Sequence, residues 1–278
     1  MMRSTEYARL WAAAIPGIEL FQAHLVSHRF GKHFHESYTI GFNDAGQGYC
    51  DYRGGRLLNP QGCFNLLNPG EVHTGAADVP EGWSFRNLYL SVPLVERSLS
   101  QMDRLYQGLP SLTVPSTADP ALKQTFNQLF LALSQPESKL VQQTWVLALV
   151  AQLFKAGKTL RAVGQETTAI STVRTYLDHH YAEDTPIETL ANLVGLSSFY
   201  LIRSFRQQVG LPPHCYQRQV RLFRVKQALQ TEQPLADIAL ANGFYDQSHL
   251  NRAFKQTFAT TPGQYRHQYR QGSFIQAG

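Results

Sequence analysis

The chain carries one stretch twice, and that duplication limits what it can build. Residues 191–206 read ANLVGLSSFYLIRSFR and residues 239–255 read ALANGFYDQSHLNRAFK. Ala191 aligns with Ala239, and Gly195 with Gly243, at a shift of 48 residues. One residue is gained in the turn. Thereafter Ser197 aligns with Asp246, Leu201 with Leu250, Arg203 with Arg252, Phe205 with Phe254, Arg206 with Lys255, Pro213 with Pro262 and Tyr216 with Tyr265, all at 49. Two units are too few to stack as a solenoid, so they are expected to close into one module with two equivalent working surfaces.

Each unit has a local logic. Residues 187–194 (IETLANLV) and 235–242 (LADIALAN) have the pattern of a short helix that is apolar on one side. Gly195 and Gly243 then supply a permissive backbone for a tight turn, and Ser197 and Asp246 offer side-chain oxygens to the first N–H groups of a following helix. Helix, glycine turn and capped helix make a helix-turn-helix, whose second helix fits the major groove of DNA. In the second copy Leu250, Phe254 and Phe258 recur every fourth residue on one face. Arg252 lies about 200° around the helix from Leu250, with Ser248, Asn251 and Lys255 on the same outer side.

Charge points to the same partner. Residues 197–278 hold ten Lys and Arg against three Asp and Glu, a net of +7, although the whole chain is only +5. A basic C-terminal third on a near-neutral body is the electrostatic footprint of a nucleic-acid binder. Between the two units, YQRQVRLFRVKQALQ (216–230) threads Val220, Phe223 and Ala228 among four cations and predicts a connecting helix. Fifteen helical residues span about 22 Å, enough with a turn at each end to set two recognition helices close to one DNA turn apart.

Residues from about 187 to 268 resemble the DNA-binding domain of the AraC/XylS family of bacterial transcription regulators. The resemblance rests on GLSSFYLIRSFRQQVGLPPHCYQRQVR, on IALANGFYDQSHLNRAFKQTF and on TPGQYR, in that order. It implies that the base readers are Ser198, Phe199, Ile202 and Arg203 in the first recognition helix and Gln247, Ser248, His249, Asn251 and Arg252 in the second. Arg203 and Arg252 suit guanine, Gln247 and Asn251 suit adenine, and Phe199 and Ile202 suit a thymine methyl or sugar. Arg206, Arg221, Arg224 and Lys255 are the candidates for phosphate neutralisation. One departure is Ala259, which stands where the family usually has a glycine at the end of the second recognition helix.

The first hundred residues have another character. Glycine and proline punctuate short β-branched and aromatic segments such as SYTIGF, GQGYCDYRG, GCFNLLNPGEVHTG and FRNLYLSV, which predicts antiparallel strands in a barrel or sandwich. His33 and His35 are two residues apart, hence on one face of a strand, and His73 can approach from a neighbouring strand. Three converging imidazoles suit either a metal or a polar pocket. The layout resembles the ligand-sensing cupin attached to many AraC-type regulators. Metal-binding cupins usually add a glutamate four or five residues after the second histidine. Here Thr39 and Ile40 stand there, and Glu36 would face away. The expectation is therefore no metal or other cofactor, and an effector pocket formed by His33, His35, Tyr38 and His73; Trp83, Arg86 and Tyr89 form a looser set, and a metal on the three histidines is the alternative.

Between these regions, ALKQTFNQLFLAL (121–133) places Leu122, Phe126, Leu129, Phe130 and Leu133 on one helical stripe, and KLVQQTWVLALVAQLF (139–154) does the same with Leu140, Trp145, Ala148 and Phe154. Helices this apolar must pack on the barrel or on another copy, and the resemblance implies dimer contacts for such helices. Residues 156–168 are expected to form a hinge. Three cysteines are too few for a disulfide framework, and neither a signal peptide nor a membrane span is expected, so the cytoplasm is the expected compartment.

The sequence thus predicts an α+β multidomain protein: a cupin-like β-barrel over 1–115, a helical linker or dimerisation segment over 116–160, and an all-α domain over 168–272 with two helix-turn-helix motifs joined by a connecting helix. The function expected is a sequence-specific, ligand-responsive activator rather than an enzyme, with double-stranded DNA, a small-molecule effector, a second copy and RNA polymerase as partners. A cupin metalloenzyme with an attached DNA-binding module is the alternative.

Overall fold

The computed structural model describes residues 6–102, 110–135, 137–154 and 167–274, so all but the last two residues of the expected hinge lie outside the described residues. The described residues divide into two compact units, one mostly N-terminal and the other mostly C-terminal to residues 155–166.

The first unit is built on antiparallel strands: β1 (Tyr7–Ala12), β2 (Ile18–Leu25), β3 (Arg29–His33), β4 (Ser37–Tyr52), β5 (Gly55–Pro60), β6 (Phe64–Leu67), β7 (His73–Ala77), β8 (Trp83–Ser91) and the short β9 (Ser116–Thr117). The main path runs β1-β2-β8-β4-β6-β9, with β5 and β7 on β4 and β3 on β7. β4 belongs to both layers. Its first half pairs with β6 and β8, its register to β8 shifts between Asn43 and Ala45, and its second half pairs with β5 and β7. Such an irregularity bends a strand, which lets one strand serve two sheets.

Alternation along the strands assigns the faces. Ile18 and Leu20, Tyr38, Ile40 and Phe42, Phe64 and Leu66, and Leu88 and Leu90 share one apolar core with α1 (Val92–Met102), α2 (Pro120–Ser134) and α3 (Lys139–Leu153). The stripe expected on α2 is the buried one: Leu122, Phe126, Leu129, Phe130 and Leu133 all lie in this core. Asp119 caps that helix by accepting from the N–H groups of Ala121 and Leu122, with Pro120 in its first turn. On α3 the expected stripe is not the one that faces inward. Gln142, Val146, Leu149 and Val150 are buried, Trp145 and Phe154 pack at the margin of the core, and Leu140 is 74 % exposed. The helix is apolar nearly all round, so its periodicity does not select a face. Instead the buried Gln142 amide is drawn in to donate to the Ala132 carbonyl of α2, 3.0 Å away.

The second unit is helical: α4 (Thr168–His179), α5 (Ile187–Leu193), α6 (Ser198–Val209), α7 (Pro213–Ala228), α8 (Leu235–Ala241), α9 (Gln247–Phe258) and α10 (Pro262–Phe274). The duplication is legible position by position. Ala191 and Ala239, Leu201 and Leu250, Phe205 and Phe254, and Tyr216 and Tyr265 are all buried. Gly195 and Gly243 both have positive φ, at +65° and +76°. Ser197 accepts from the Tyr200 N–H at 3.3 Å and Asp246 from the His249 N–H at 2.6 Å, so both second helices are capped as the sequence predicts. α6 ends on Gly210 and α9 on Ala259, each left-handed. Ala259 at φ +56° thus adopts the conformation that glycine usually provides.

Candidate nucleic-acid interface and sensing site

The two capped helices present what the duplicated frame places on their outer faces. On α6, Phe199 is 77 % exposed, Ile202 and Arg203 are exposed and Ser198 is half-buried. Burial of Leu201 and Phe205 fixes that orientation, because residues two positions away on a helix point elsewhere. An exposed phenyl ring of this size is not packed between helices. On α9, burial of Leu250, Ala253 and Phe254 leaves Gln247, Ser248 and Arg252 exposed. Asn251 is half-buried, and His249 is half-buried with its ring edge-on to Phe244 at 5.3 Å. Tyr200 and Tyr245, the latter 86 % exposed, also stand at the entries of the two helices. They were not among the expected readers, and the duplication does not align them, since Tyr200 corresponds to His249 and Tyr245 lies in the lengthened turn of the second copy.

Of the four expected phosphate contacts, Arg206 and Lys255 are exposed in the last turns of α6 and α9. Arg224 is exposed on α7 with its guanidinium 5.4 Å from the centre of the Tyr181 ring. Arg221 is different. Its Nε donates to the Tyr181 carbonyl at 2.6 Å, one terminal nitrogen to the Gly243 carbonyl at 2.7 Å and the other to the Glu183 carbonyl at 2.8 Å. Burial pushes its pKa down. With the whole fork committed to backbone oxygens, Arg221 clamps the turn between α8 and α9 against the chain after α4. A Cβ on Gly243 would lie 2.5 Å from the Ala182 carbonyl oxygen and 2.9 Å from this guanidinium, whereas a Cβ on Gly195 would meet nothing within 4 Å.

His33, His35 and His73 each offer a ring nitrogen, and these atoms lie within 4.8 Å of one another. His33 and His73 are buried and His35 is half-buried. His33 Nδ1 lies 2.8 Å from the Gly31 carbonyl and His73 Nδ1 lies 2.8 Å from the Glu71 carbonyl. A carbonyl only accepts, so both Nδ1 atoms carry the proton. Burial pushes the His73 imidazole down to about 4, against the opposing hydrogen bond to Glu71, which keeps the ring neutral. The His35 ring lies 5.1 Å from the His73 ring and 4.9 Å from that of Tyr89. The Tyr89 hydroxyl accepts from Asn87 Nδ2 at 3.1 Å, and burial drives its pKa upward.

Tyr38 does not join the histidines. It shares the face of Ile40 and is fully buried in the helix-facing core, where its hydroxyl donates to the Pro110 carbonyl at 2.6 Å and its ring meets Phe154 edge-on. Thr39, one residue on, takes the other face and pairs in register with Tyr89. Of the looser set, Tyr89 reaches the cluster. Trp83 stacks on Phe85, and Arg86 is ion-paired with Asp44 at 2.6 Å and bonded to Asn127 of α2. Glu36 is exposed and lies between β3 and β4 rather than on a strand. The sequence reading missed Glu71. Its buried carboxylate accepts from the Tyr52 hydroxyl at 2.6 Å, Arg53 at 2.5 Å and the Asn68 N–H at 2.9 Å, and so fixes the turn that delivers His73. Although burial opposes it, these donors hold the Glu71 carboxylate below its ordinary pKa.

Comparison with known proteins finds the same two parts in the same order. The model of the AraC-like ligand binding domain matches residues 15–150, and that of a helix-turn-helix domain matches residues 190–268. The HTH-type transcriptional regulator YbfI of Bacillus subtilis is 26 % identical over 84 % of this chain and 86 % of its own. The HTH-type transcriptional activator RhaS of Pectobacterium carotovorum is 25 % identical over 86 % of this chain and 88 % of its own. Among solved structures, apo ToxT from Vibrio cholerae is similar with a TM-score of 0.60 over 92 % of this chain and 99 % of its own, a likeness of fold alone at 12 % identity.

Proposed function

The chain belongs to the AraC family of DNA-binding transcription regulators, and from that premise we propose that it is a ligand-responsive activator reading two adjacent major-groove segments with α6 and α9. The observation that carries this reading is the pair of equivalent capped helices, with Phe199, Ile202 and Arg203 exposed on one and Gln247, Ser248 and Arg252 on the other. Asn251, His249 and Ser198 contribute from half-buried positions, and Arg206, Arg224 and Lys255 neutralise phosphates. The effector is held on the wall formed by His33, His35 and His73, with Tyr89 in the place first given to Tyr38. Its response is set by its differential affinity for two arrangements of the protein.

Activation rather than repression is supported by the relative described as a transcriptional activator, and RNA polymerase is then the further partner. A homodimer is supported by α3, which leaves Leu140 and Val141 exposed and Leu147, Ala148 and Ala151 half-buried along its outer side. No helix among the described residues is long and apolar enough to cross a membrane, which agrees with action in the cytoplasm. Relatives that match over four-fifths of the chain are regulators, which favours this reading over a metalloenzyme.

Selection of binding sites from random duplex DNA by the purified full chain tests the reading. Enriched sites should contain two conserved segments centred about one helical turn, 10–10.5 base pairs, apart. Recovery of unenriched DNA, or of one isolated segment whatever the flanking sequence, would overturn it.

A further inference from the structure

We propose that Tyr245 is a base-reading residue of the second helix-turn-helix, its ring packing on the methyl group of a thymine that borders the segment read by α9. The inference rests on the DNA-reading role given above and adds to it one base pair that the first copy has no equivalent residue to read.

The duplication isolates this residue. The Leu196 N–H donates to the Ala191 carbonyl at 3.0 Å, and the Phe244 N–H donates to the Ala239 carbonyl at 2.9 Å. Leu196 and Phe244 therefore hold the same place in the two turns, and Ser197 and Asp246 are the two caps. The residue gained in the second copy is Tyr245. Both its neighbours are engaged: Phe244 is buried with the His249 ring against it, and Asp246 accepts from the His249 N–H. Tyr245 itself is 86 % exposed. In the first copy Leu196 stands directly before the cap and is half-buried.

An apolar residue before a helix cap commonly packs on the fourth residue of the helix and so fixes the angle of entry. In α9 that fourth residue is Leu250, which is fully buried, whereas Tyr245 stands in solvent and has no hydrogen-bond or ring partner among the described residues. The fold therefore makes no use of its ring. The backbone beneath it is nonetheless held firmly. Arg221 donates to the Gly243 carbonyl at 2.7 Å, and a Cβ at position 243 would lie 2.5 Å from the Ala182 carbonyl oxygen. A turn fixed in this way presents the ring in one place, so little order is lost when the ring meets a partner.

Position and chemistry together name that partner. Tyr245 directly precedes the cap of α9 and the exposed Gln247 and Ser248, at the N-terminal end from which a recognition helix contacts base edges. An uncharged aromatic ring there favours an apolar group, and in the major groove the methyl group belongs to thymine.

Site selection from random duplexes, run side by side with the full-length wild type and Tyr245→Ala, tests the inference. Both should recover the same two segments, with a thymine preference at one pair bordering the second segment in the wild-type pool and none there in the other. Replacing that thymine by uracil removes the methyl group alone. The wild type should bind the uracil duplex about fourfold more weakly, the factor that burial of one such group is worth. Tyr245→Ala should bind both duplexes alike, and Tyr245→Phe should keep the difference. Equal Tm values show that the variants fold as the wild type does. Identical preferences in both pools, or a Tyr245→Phe variant as indifferent to the methyl group as Tyr245→Ala, overturn the inference and leave the two-helix reading standing. A wild type that enriches no DNA removes that reading and this inference with it.

Discussion

Arg252 and Lys255 sit three residues apart on one exposed face, yet they are expected to behave differently toward DNA. Arg252 has the fork geometry for a guanine edge, so Arg252→Ala should cost roughly 1–3 kcal/mol and relax preference at one base pair, while Lys255→Ala should weaken all sequences alike. Titration of both variants with matched and singly mismatched duplexes separates the two, and equal losses on every duplex for Arg252→Ala would strike it from the readers. Ala259 carries a different liability. An L-residue in the left-handed region costs about 1–2 kcal/mol, part of which glycine returns through its greater freedom in the unfolded chain. Ala259→Gly should therefore stabilise the protein by about 0.5–1 kcal/mol, seen as a Tm higher by a few degrees. The departure at this residue was visible in the sequence. What it does to the backbone was not, because only the helix end shows that Ala259 adopts the glycine conformation at φ +56°.

Among the elements, α7 is the one whose role the sequence half disclosed. Its pattern announced a connecting helix with four cations, but nothing in a string of Arg and Gln tells which cations face solvent. The structure commits Arg221 to three carbonyls and leaves Arg224 exposed. Arg221→Ala should thus destabilise the helical domain by about 2–3 kcal/mol, the scale of charge-assisted bonds lost together. The slope of log affinity against log salt should stay unchanged, whereas Arg206→Ala should lower that slope by about 0.9. A slope reduced equally in both variants would return Arg221 to the phosphate contacts. The approach of His73 from a neighbouring strand was legible, but β3 ends at His33, so His35 lies beyond the strand on which the spacing had placed it. Tyr38 was misplaced because a one-residue difference in strand phase, set by the break between β3 and β4, carries a side chain to the other face.

At the scale of the whole molecule, the order of its parts was readable because each has its own period: two in the strands, near four in the helices, and 48–49 in the duplicated units. The burial of α2 and α3 against the sheet was not, since an apolar helix looks alike whether it covers its own domain or a second copy. Leu140→Asp decides what remains outside. Sedimentation should find the wild type dimeric and the variant monomeric, both folded; a monomeric wild type ends the dimer assignment.

The two copies of the ancestral unit have also become unequal in what they tolerate. The turn of the first copy opens on empty space at Gly195, while that of the second is closed by Arg221 and the Ala182 carbonyl around Gly243. In a randomised library selected for operator binding, position 195 should accept asparagine, which tolerates positive φ, and position 243 should return only glycine. New DNA preferences are then easier to evolve from the first reader, because its frame can be adjusted without unseating the rest.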